Sequence, residues 1–216
     1  MTDNFNMMRG YMLDLGIPES KLHINDKVFE IQVLRRGKDH PDMPAANYSF
    51  KNYYVDSIET YDRYEDEIKK CCDVLGLRAY ISVNVKSKEK LQLQSLKIIA
   101  DNLAMGELKK PWKIFYKAFG TTVAQEQRWV VDIDKDDIKQ YDIFTFLNAT
   151  MRTIESCQSG HDNNIIISVP TRSGFHLITH PFNVAQFKDI WASTLEESYH
   201  CPEIKKNHLT LLYENL

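Results

Sequence analysis

The stretch RWVVDID, residues 128–134, is the segment from which the fold can be worked out. Side chains in a β-strand alternate between two faces with a period of two residues. The apolar side chains at positions 129, 131 and 133 therefore share one face, which suits a packed core. The other face ends in two acids, Asp132 and Asp134. The pattern predicts a strand with one buried face and one acidic end.

The two acids are unusual neighbours because they lie on the same strand face. At a rise of about 3.3 Å per residue they stand about 7 Å apart, and carboxylates at that spacing repel each other unless a cation lies between them. Mg²⁺ or Mn²⁺ is the usual cation where every ligand is an oxygen atom. The alternative is structural: Asp134 ends the strand and caps the next helix, with Asp136 and Asp137 in its first turn. Both interpretations remain open at this point.

A second stretch, IIISVPTRSGFHLITHPF at residues 165–182, predicts two strands joined by a tight turn. Its first five residues form a run that is apolar except for Ser168, as in a buried strand. The turn carries Arg172, Ser173 and Gly174. A guanidinium, a hydroxyl and free backbone N–H groups together suit the oxygens of a phosphate. The stretch therefore predicts a hairpin with a phosphate-binding turn.

Gly174 and His176 carry further expectations. Gly174 is predicted to supply a positive φ or a close approach between two backbones. His176 follows the Ser-Gly turn directly, which favours a functional imidazole over a histidine that only satisfies the core. We expect this hairpin and the strand at 128–134 to lie in one sheet. The carboxyl groups of Asp132 and Asp134 should then lie within about 10 Å of the His176 ring.

The order of these motifs resembles the archaeo-eukaryotic primase superfamily, which includes primase-polymerases and the polymerase domains of bacterial end-joining ligases. The resemblance rests on Asp-x-Asp at a strand end, then a helix and a strand, then T-x-S-G-x-H, and covers about a quarter of the chain. It implies that Asp132 and Asp134 hold divalent metals, and that Ser173 and His176 contact the phosphates of the incoming nucleotide. Asp132, Asp134 and His176 are thus the expected catalytic residues.

The family's third motif is a further aspartate on a later strand, and this chain has no clear counterpart. Asn207, Glu214 and Asp189 are the candidates for it. The departure leaves three functions open. The first is metal-dependent nucleotidyl transfer to nucleic acid. The second is a catalytically inactive nucleotide- or nucleic-acid-binding protein on the same scaffold. The third is a phosphoesterase that uses His176 and His208, because residues 208–210 match the H-x-T signature of two-histidine phosphoesterases.

The complete chain predicts one domain of the α+β class. Helical periodicities at about 57–76, 87–105, 141–157 and 184–199 alternate with strands, including a strand predicted at 112–116. We expect a mixed or antiparallel sheet with helices on one face, which the resemblance specifies as an RRM-like, primase-type core. Within the single primase-like domain, 1–216, we expect an N-terminal αβ subregion at 1–110 and a motif-bearing subregion at 111–216.

Composition restricts the partners. The net charge of −3 does not indicate nucleic-acid binding by itself, although a local basic groove remains compatible with it. No apolar run is long enough to span a membrane, and no zinc-ligand spacing links the four cysteines. We expect a cytoplasmic protein whose partners are a nucleoside triphosphate and possibly DNA or RNA, with no membrane; the oligomeric state is not predicted. Among the tyrosines, Tyr116 is one candidate for stacking on a base, although tyrosines at helical spacing are more often core.

Overall fold

The computed structural model describes residues 1–23, 25–39, 47–135, 142–194 and 200–215. The fold is α+β, as predicted, and its strands form two antiparallel sheets. The first sheet has the order β1-β10-β4-β2-β3, with β5 paired to β2. Its strands are β1 (Thr2–Asp3), β2 (Lys27–Arg36), β3 (Asn47–Val55), β4 (Arg78–Ser82), β5 (Lys86–Ser87) and β10 (Leu209–Glu214).

The main core lies between this sheet and two helices, α1 (Phe5–Asp14) and α2 (Ile58–Leu75). Alternation in β2 directs Phe29, Ile31 and Val33 into this core, and all three are fully buried. The helix α2 begins where the Ser57 hydroxyl accepts a hydrogen bond from the Thr60 N–H, and it ends at Gly76 in the left-handed conformation. Part of the opposite face of the sheet, at Gln32, Leu34 and Arg36, lines the cavity described below.

The second sheet contains the motif-bearing strands in the order β7-β8-β6-β9. These are β6 (Trp129–Asp134), β7 (Ile165–Pro170), β8 (Gly174–Thr179) and β9 (Glu203–Lys205). The helix α5 (Ile143–Glu155) follows β6, and α6 (Val184–Thr194) follows β8. The element order is thus β-α-β-β-α-β, which is the order of the split βαβ motif. The more specific RRM-like, primase-type description stays a prediction.

The two faces of β6 belong to different cores. Trp129, Val131 and Ile133 pack against α5 and α6 in a second apolar cluster. Val130 lies on the other face and packs into the main core. Asp132 and Asp134 continue this second face and are half-buried. The alternation in RWVVDID therefore sets the acids on the side of the second sheet that does not carry its helices.

Two buried asparagines link the two sheets through side-chain hydrogen bonds to backbone groups. The Asn84 side chain accepts from the Arg128 N–H at 2.6 Å and donates to the Arg128 carbonyl at 3.1 Å, which fixes the start of β6. The Asn4 amide donates to the carbonyls of Pro170 and Leu211, both at 2.9 Å, and so joins the end of β7 to β10. Both asparagines are buried, so these bonds are shielded from water.

The strand predicted at 112–116 is wrong, because these residues belong to the helix α4 (Pro111–Thr121). Pro111 occupies the first turn, where its missing N–H costs nothing. Ala118 and Phe119 are buried against Leu91 of the helix α3 (Lys88–Ala104) in a third apolar cluster. The alternation of Trp112, Ile114 and Tyr116 mimicked a strand. No helix in the described segments is long and apolar enough to cross a membrane.

Candidate functional site

A cavity of about 470 Å³ lies between the two sheets, a volume in the range of small-molecule sites. The second sheet contributes the acids and the hairpin turn, and the first sheet contributes mainly basic and polar side chains. All the sequence-predicted site residues except Gly174 line this cavity, namely Asp132, Asp134, Arg172, Ser173 and His176. Further lining comes from Gln32, Arg36, Asn47, Arg78, Tyr80, Thr171, Glu203, Lys205 and His208.

Asp132 and His176 are direct cross-strand partners. They are paired in the register of β6 and β8, and His176 Nε2 lies 3.3 Å from Asp132 Oδ1. The prediction of one sheet with the acid beside the imidazole is therefore confirmed for this pair. Asp134 pairs with Gly174 in the same register and lines the same cavity. Residues 136–141, which the capping alternative for Asp134 requires, lie outside the described residues, and the described helix α5 begins after Asp142.

Lys205 supplies a positive charge at Asp132 that the sequence did not reveal. Its Nζ donates to Asp132 Oδ2 at 2.6 Å and lies 3.2 Å from Glu203 Oε2. Burial opposes ionisation of Asp132, but the contacts from His176 and Lys205 outweigh burial and hold the pKa of the carboxyl well below its usual value. Burial also opposes the charge on Lys205, yet Asp132 and Glu203 together raise the pKa of its ammonium. The negative charge of the ionised Asp132 carboxylate is thus compensated by the Lys205 ammonium.

His176 is held on both ring nitrogens. Its Nδ1 lies 3.0 Å from the Thr210 hydroxyl, and Nε2 faces Asp132. Thr210 is fully buried, and the His176 side chain is only 10% exposed. A ring restrained in this way has a fixed orientation, which a group that binds or moves a proton requires.

The hairpin turn is shaped by a close backbone approach at Gly174. A Cβ added to Gly174 would lie 1.8 Å from the Ile133 carbonyl oxygen. Its φ is not positive, so close approach is the reason for glycine. The Thr171 N–H donates to the Gly174 carbonyl at 2.9 Å, and the Lys135 N–H donates to the Ser173 carbonyl at 2.8 Å. The first bond closes the turn, and the second joins it to the end of β6, beside the acids.

The first sheet adds arginines to the opposite wall. Arg78 is buried and forms ion pairs with Asp39 at 2.7 Å and Glu214 at 3.0 Å. Its charge is therefore compensated. Arg36 and Arg172 also line the cavity and form no ion pair with a carboxylate within the described part of the chain. The exposed Arg172 guanidinium and Arg36 are the cations that remain available to an anionic ligand.

The candidates for a third metal-binding acid do not join the site. Glu214 is 1% exposed and is paired with Arg78, Asp189 is exposed on α6, and Asn207 is exposed ahead of β10. Among the described residues there is no group of three or more histidine, cysteine, aspartate or glutamate side chains that could hold a metal ion. Asp132 and Asp134 are thus the only acids of the predicted metal set that line the cavity.

His176 and His208 are neighbours, with ring centroids 6.4 Å apart. Partial burial in the cavity, followed by the charges of Lys205 and His176, lowers the pKa of His208 to about 4, although its outer edge is exposed. The phosphoesterase alternative needs a second H-x-T pattern. Thr179 is three residues from His176 and fully buried, so it lies on the opposite strand face. The site therefore contains one H-x-T motif, at residues 208–210, and not the two that this chemistry requires.

Short sequence patterns identified the acids and the turn, and missed Lys205 and the contact of Thr210 with His176. The sequence identified Thr210 only as part of the H-x-T pattern at 208–210. Both residues approach the site from strands that are separated from Asp132 and His176 by many residues, and a single lysine carries no motif. Comparison with family models, with curated proteins and with solved structures gave no match for this chain.

Proposed function

We propose that the protein binds a nucleoside triphosphate in the cavity between the sheets and acts as a primase-like, metal-dependent nucleotidyltransferase. The observation that carries the proposal is the arrangement of one wall. Asp132 and Asp134 lie beside the turn that carries Arg172 and Ser173, and His176 lies opposite Asp132. Carboxylates beside phosphate-binding groups are what a nucleotide with its cation requires.

The phosphate side of the proposal rests on groups with unused charge or donors. Arg172 and Arg36 line the cavity without an ion pair in the described residues, and Ser173 lines it as well. A guanidinium presents a planar fork of donors that matches phosphate oxygens. We assign to Arg172, Ser173 and His176 the task of binding and orienting the polyphosphate.

In this proposal Asp132 and Asp134 would hold the divalent cation, Mg²⁺ or Mn²⁺. Asp132 already accepts from Lys205 and His176, but an ionised carboxylate offers about four lone-pair sites. When bound, such a cation would neutralise phosphate charge and polarise a phosphoryl oxygen. His176 would contribute a fixed imidazole, restrained by Thr210, and Lys205 would keep Asp132 ionised.

A second candidate is a nucleotide- or nucleic-acid-binding protein without catalysis. The observation in its favour is the Lys205 ammonium on Asp132, 2.6 Å from Oδ2, where it satisfies the charge that a metal would otherwise neutralise. Among the described residues there is also no group of three or more histidine, cysteine, aspartate or glutamate side chains that could hold a metal ion. In this case Arg172 and Ser173 would keep their binding role, and Asp132 would only position His176.

Calorimetric titration with nucleoside triphosphates, with and without Mg²⁺, tests the shared part of both candidates. Arg172→Ala should weaken binding by about tenfold or more, because a hydrogen bond to a charged group is lost. Asp189→Asn is the matched control, since Asp189 is exposed on a distant helix. The absence of binding by the parent chain, or equal binding by the Arg172→Ala variant, would refute the proposed function.

Primer extension on a template separates the enzyme from the binder. If the protein is a nucleotidyltransferase, turnover should require Mg²⁺ or Mn²⁺. It should fall by about 10²-fold or more in Asp132→Asn and in Asp134→Asn, because charge stabilisation in the transition state is lost. Triphosphate binding without product from the parent chain would support the binder.

We further infer a cytoplasmic location, since all four cysteines are free thiols, as in a reducing compartment.

A further inference from the structure

A second cleft, of about 910 Å³, opens at the β3 edge of the first sheet. It lies between the edge strand β3 and the helix α4, and nothing in the cavity chemistry above uses it. Aromatic side chains dominate its lining, namely Tyr48, Phe50, Tyr54, Trp112, Phe115 and Tyr116.

Two of these aromatic residues form a fixed floor. The rings of Tyr54 and Phe115 meet edge-to-face with centroids 4.6 Å apart, and Phe119 packs beside Tyr54 at 5.6 Å. The floor is therefore part of the third apolar cluster, which joins α4 to α3.

The remaining aromatic side chains are exposed far more than core packing would allow. Trp112 is 63% exposed, Tyr48 60%, Phe50 49% and Tyr116 44%. Large rings gathered at one open cleft form a surface on which flat ligands stack. Side chains that served the core alone would be buried, as the floor residues largely are.

The charge around the cleft indicates the sign of its ligand. Residues 109–121 contain four lysines and no acidic residue; all four are exposed, and Lys109 forms an ion pair with Glu107. Lys113 Nζ lies 5.5 Å from the Trp112 ring centroid. Aromatic rings interleaved with ammonium groups fit a polyanion that carries flat rings.

The edge strand is unsuited to pairing with another strand. The register of β2 and β3 shifts between Val33 and Leu34, which pair with Lys51 and Ser49, so Phe50 is the extra residue of a β-bulge. Bulges and edge lysines discourage the addition of a further strand. An extended peptide bound by strand addition is therefore a poor fit for this edge.

We propose that this aromatic cleft binds a single-stranded nucleic acid. Its bases would stack on Trp112 and Tyr116, and its phosphates would contact the lysines of α4. Asn47 lines both the cleft and the cavity between the sheets, so a strand in the cleft leads to the proposed triphosphate site. The inference extends the proposed function by naming its polymer partner, but it can be tested without nucleotide or metal.

Fluorescence anisotropy with a labelled thymidylate oligomer of about 12 nucleotides tests the proposal, within the site sizes of such surfaces. No triphosphate or divalent cation is added, so failure here and failure of the triphosphate site are distinguishable. Trp112→Ala should weaken binding at least about fivefold, because one stacking contact is lost. Lys113→Ala should weaken binding and flatten its salt dependence. Phe144→Ala is the matched control, since Phe144 is 59% exposed and lies outside the cleft.

Intrinsic fluorescence gives an independent readout. The chain has three tryptophans, and Trp129 and Trp191 are only 7% and 5% exposed. A base stacked on Trp112 should therefore quench the exposed part of the emission. Trp112→Phe should abolish this quenching and retain most of the affinity, because a phenyl ring still stacks.

Several outcomes would overturn the proposal. These are no binding of the oligomer by the parent chain, equal binding by the Trp112→Ala and Phe144→Ala variants, or tighter binding of a duplex of the same length. Binding of a proline-rich peptide in place of the oligomer would instead assign the aromatic rings to a protein partner. Circular dichroism of each variant checks that the fold is retained, which exposed positions on α4 and α5 should allow.

Discussion

The imidazole of His176 and the carboxylate of Asp132 lie directly opposite each other on antiparallel strands, with Nε2 3.3 Å from Oδ1. On its other side, Asp132 accepts from Lys205, which comes from the neighbouring strand β9. The acid is therefore held by both strands that flank β6. A carboxylate in this position stays ionised, and its charge depends on two side chains that can be changed separately.

The first prediction concerns acid stability. The pKa of Asp132 is held below its unfolded value of about 3.9, so the unfolded chain binds more protons and stability falls as pH falls below about 4. Asp132→Asn should cost about 1–2 kcal/mol at neutral pH, because charged hydrogen bonds are lost. The difference in unfolding free energy between the parent and Asp132→Asn should shrink as the pH falls towards the folded-state pKa of Asp132. Urea unfolding at several pH values measures it.

Asp189→Asn serves as the control for this experiment, since Asp189 is exposed and distant from the site. The prediction would be contradicted if the unfolding free energies of the parent and Asp132→Asn differed by the same amount at every pH from neutral to strongly acidic.

The second prediction concerns the protonation of His208. Partial burial, and then the nearby charges of Lys205 and His176, lower the pKa of His208 to about 4. Lys205→Met removes one of these charges and should raise the pKa of His208. Lys206→Met should leave it unchanged, because Lys206 lies 5.0 Å from the Trp129 ring and does not act on His208. Proton NMR titration measures both, with the His208 signal assigned by its loss in His208→Gln.

Equal titration of His208 in the two lysine variants would mean that the ammonium of Lys205 does not influence the ring.

Much of the site was predictable because its signals are local. Alternation in RWVVDID separates the apolar face of β6 from the acids, and the Ser-Gly turn marks the hairpin that brings His176 beside Asp132. Both depend on residues that are close in sequence. The close approach at Gly174 was one of two explanations that the sequence allowed, and the structure selects it.

The rest depends on contacts between distant residues. Lys205 is 73 residues from Asp132 and lies in a strand of three residues, too short for a periodic pattern. The helix α4 was predicted as a strand because Trp112, Ile114 and Tyr116 alternate, and only tertiary packing of Ala118 and Phe119 distinguishes the two. The pairing of Glu214 with Arg78 joins two strands far apart in sequence, so Glu214 was a reasonable but unsupported metal ligand.

The third prediction concerns Gly174. A methyl group there would contact the Ile133 carbonyl oxygen, which belongs to backbone and cannot rotate away. Gly174→Ala should therefore destabilise the protein by about 1–3 kcal/mol or more, by forcing β6 and β8 apart. Gly10→Ala is the control: Gly10 lies inside α1 with open space around it, so alanine should add up to about 1 kcal/mol of stability. Thermal unfolding compares the two, and a Gly174→Ala variant as stable as the parent would disprove the close approach.

The last prediction concerns the buried ion pair behind the cavity wall. Arg78 and Glu214 are 3.0 Å apart with side chains 7% and 2% exposed, and Asp39 also contacts Arg78. Glu214→Gln should cost about 3 kcal/mol, because a buried guanidinium loses much of its compensation. The double variant Arg78→Met with Glu214→Leu should cost less than this single change, since it buries no unpaired charge at the two positions.

A half-buried pair provides the scale for comparison. Lys69 and Glu65 are 2.6 Å apart on α2 with side chains 27% and 30% exposed, so Glu65→Gln should cost under about 1 kcal/mol. Urea unfolding with an unchanged denaturant slope gives all these free energies on one basis. If the double variant is less stable than Glu214→Gln, the pair stabilises the fold by more than its desolvation costs. Glu214 would then be a structural residue whose ionisation the first sheet requires, and its replacement would disturb β10 and, through Thr210, the orientation of His176.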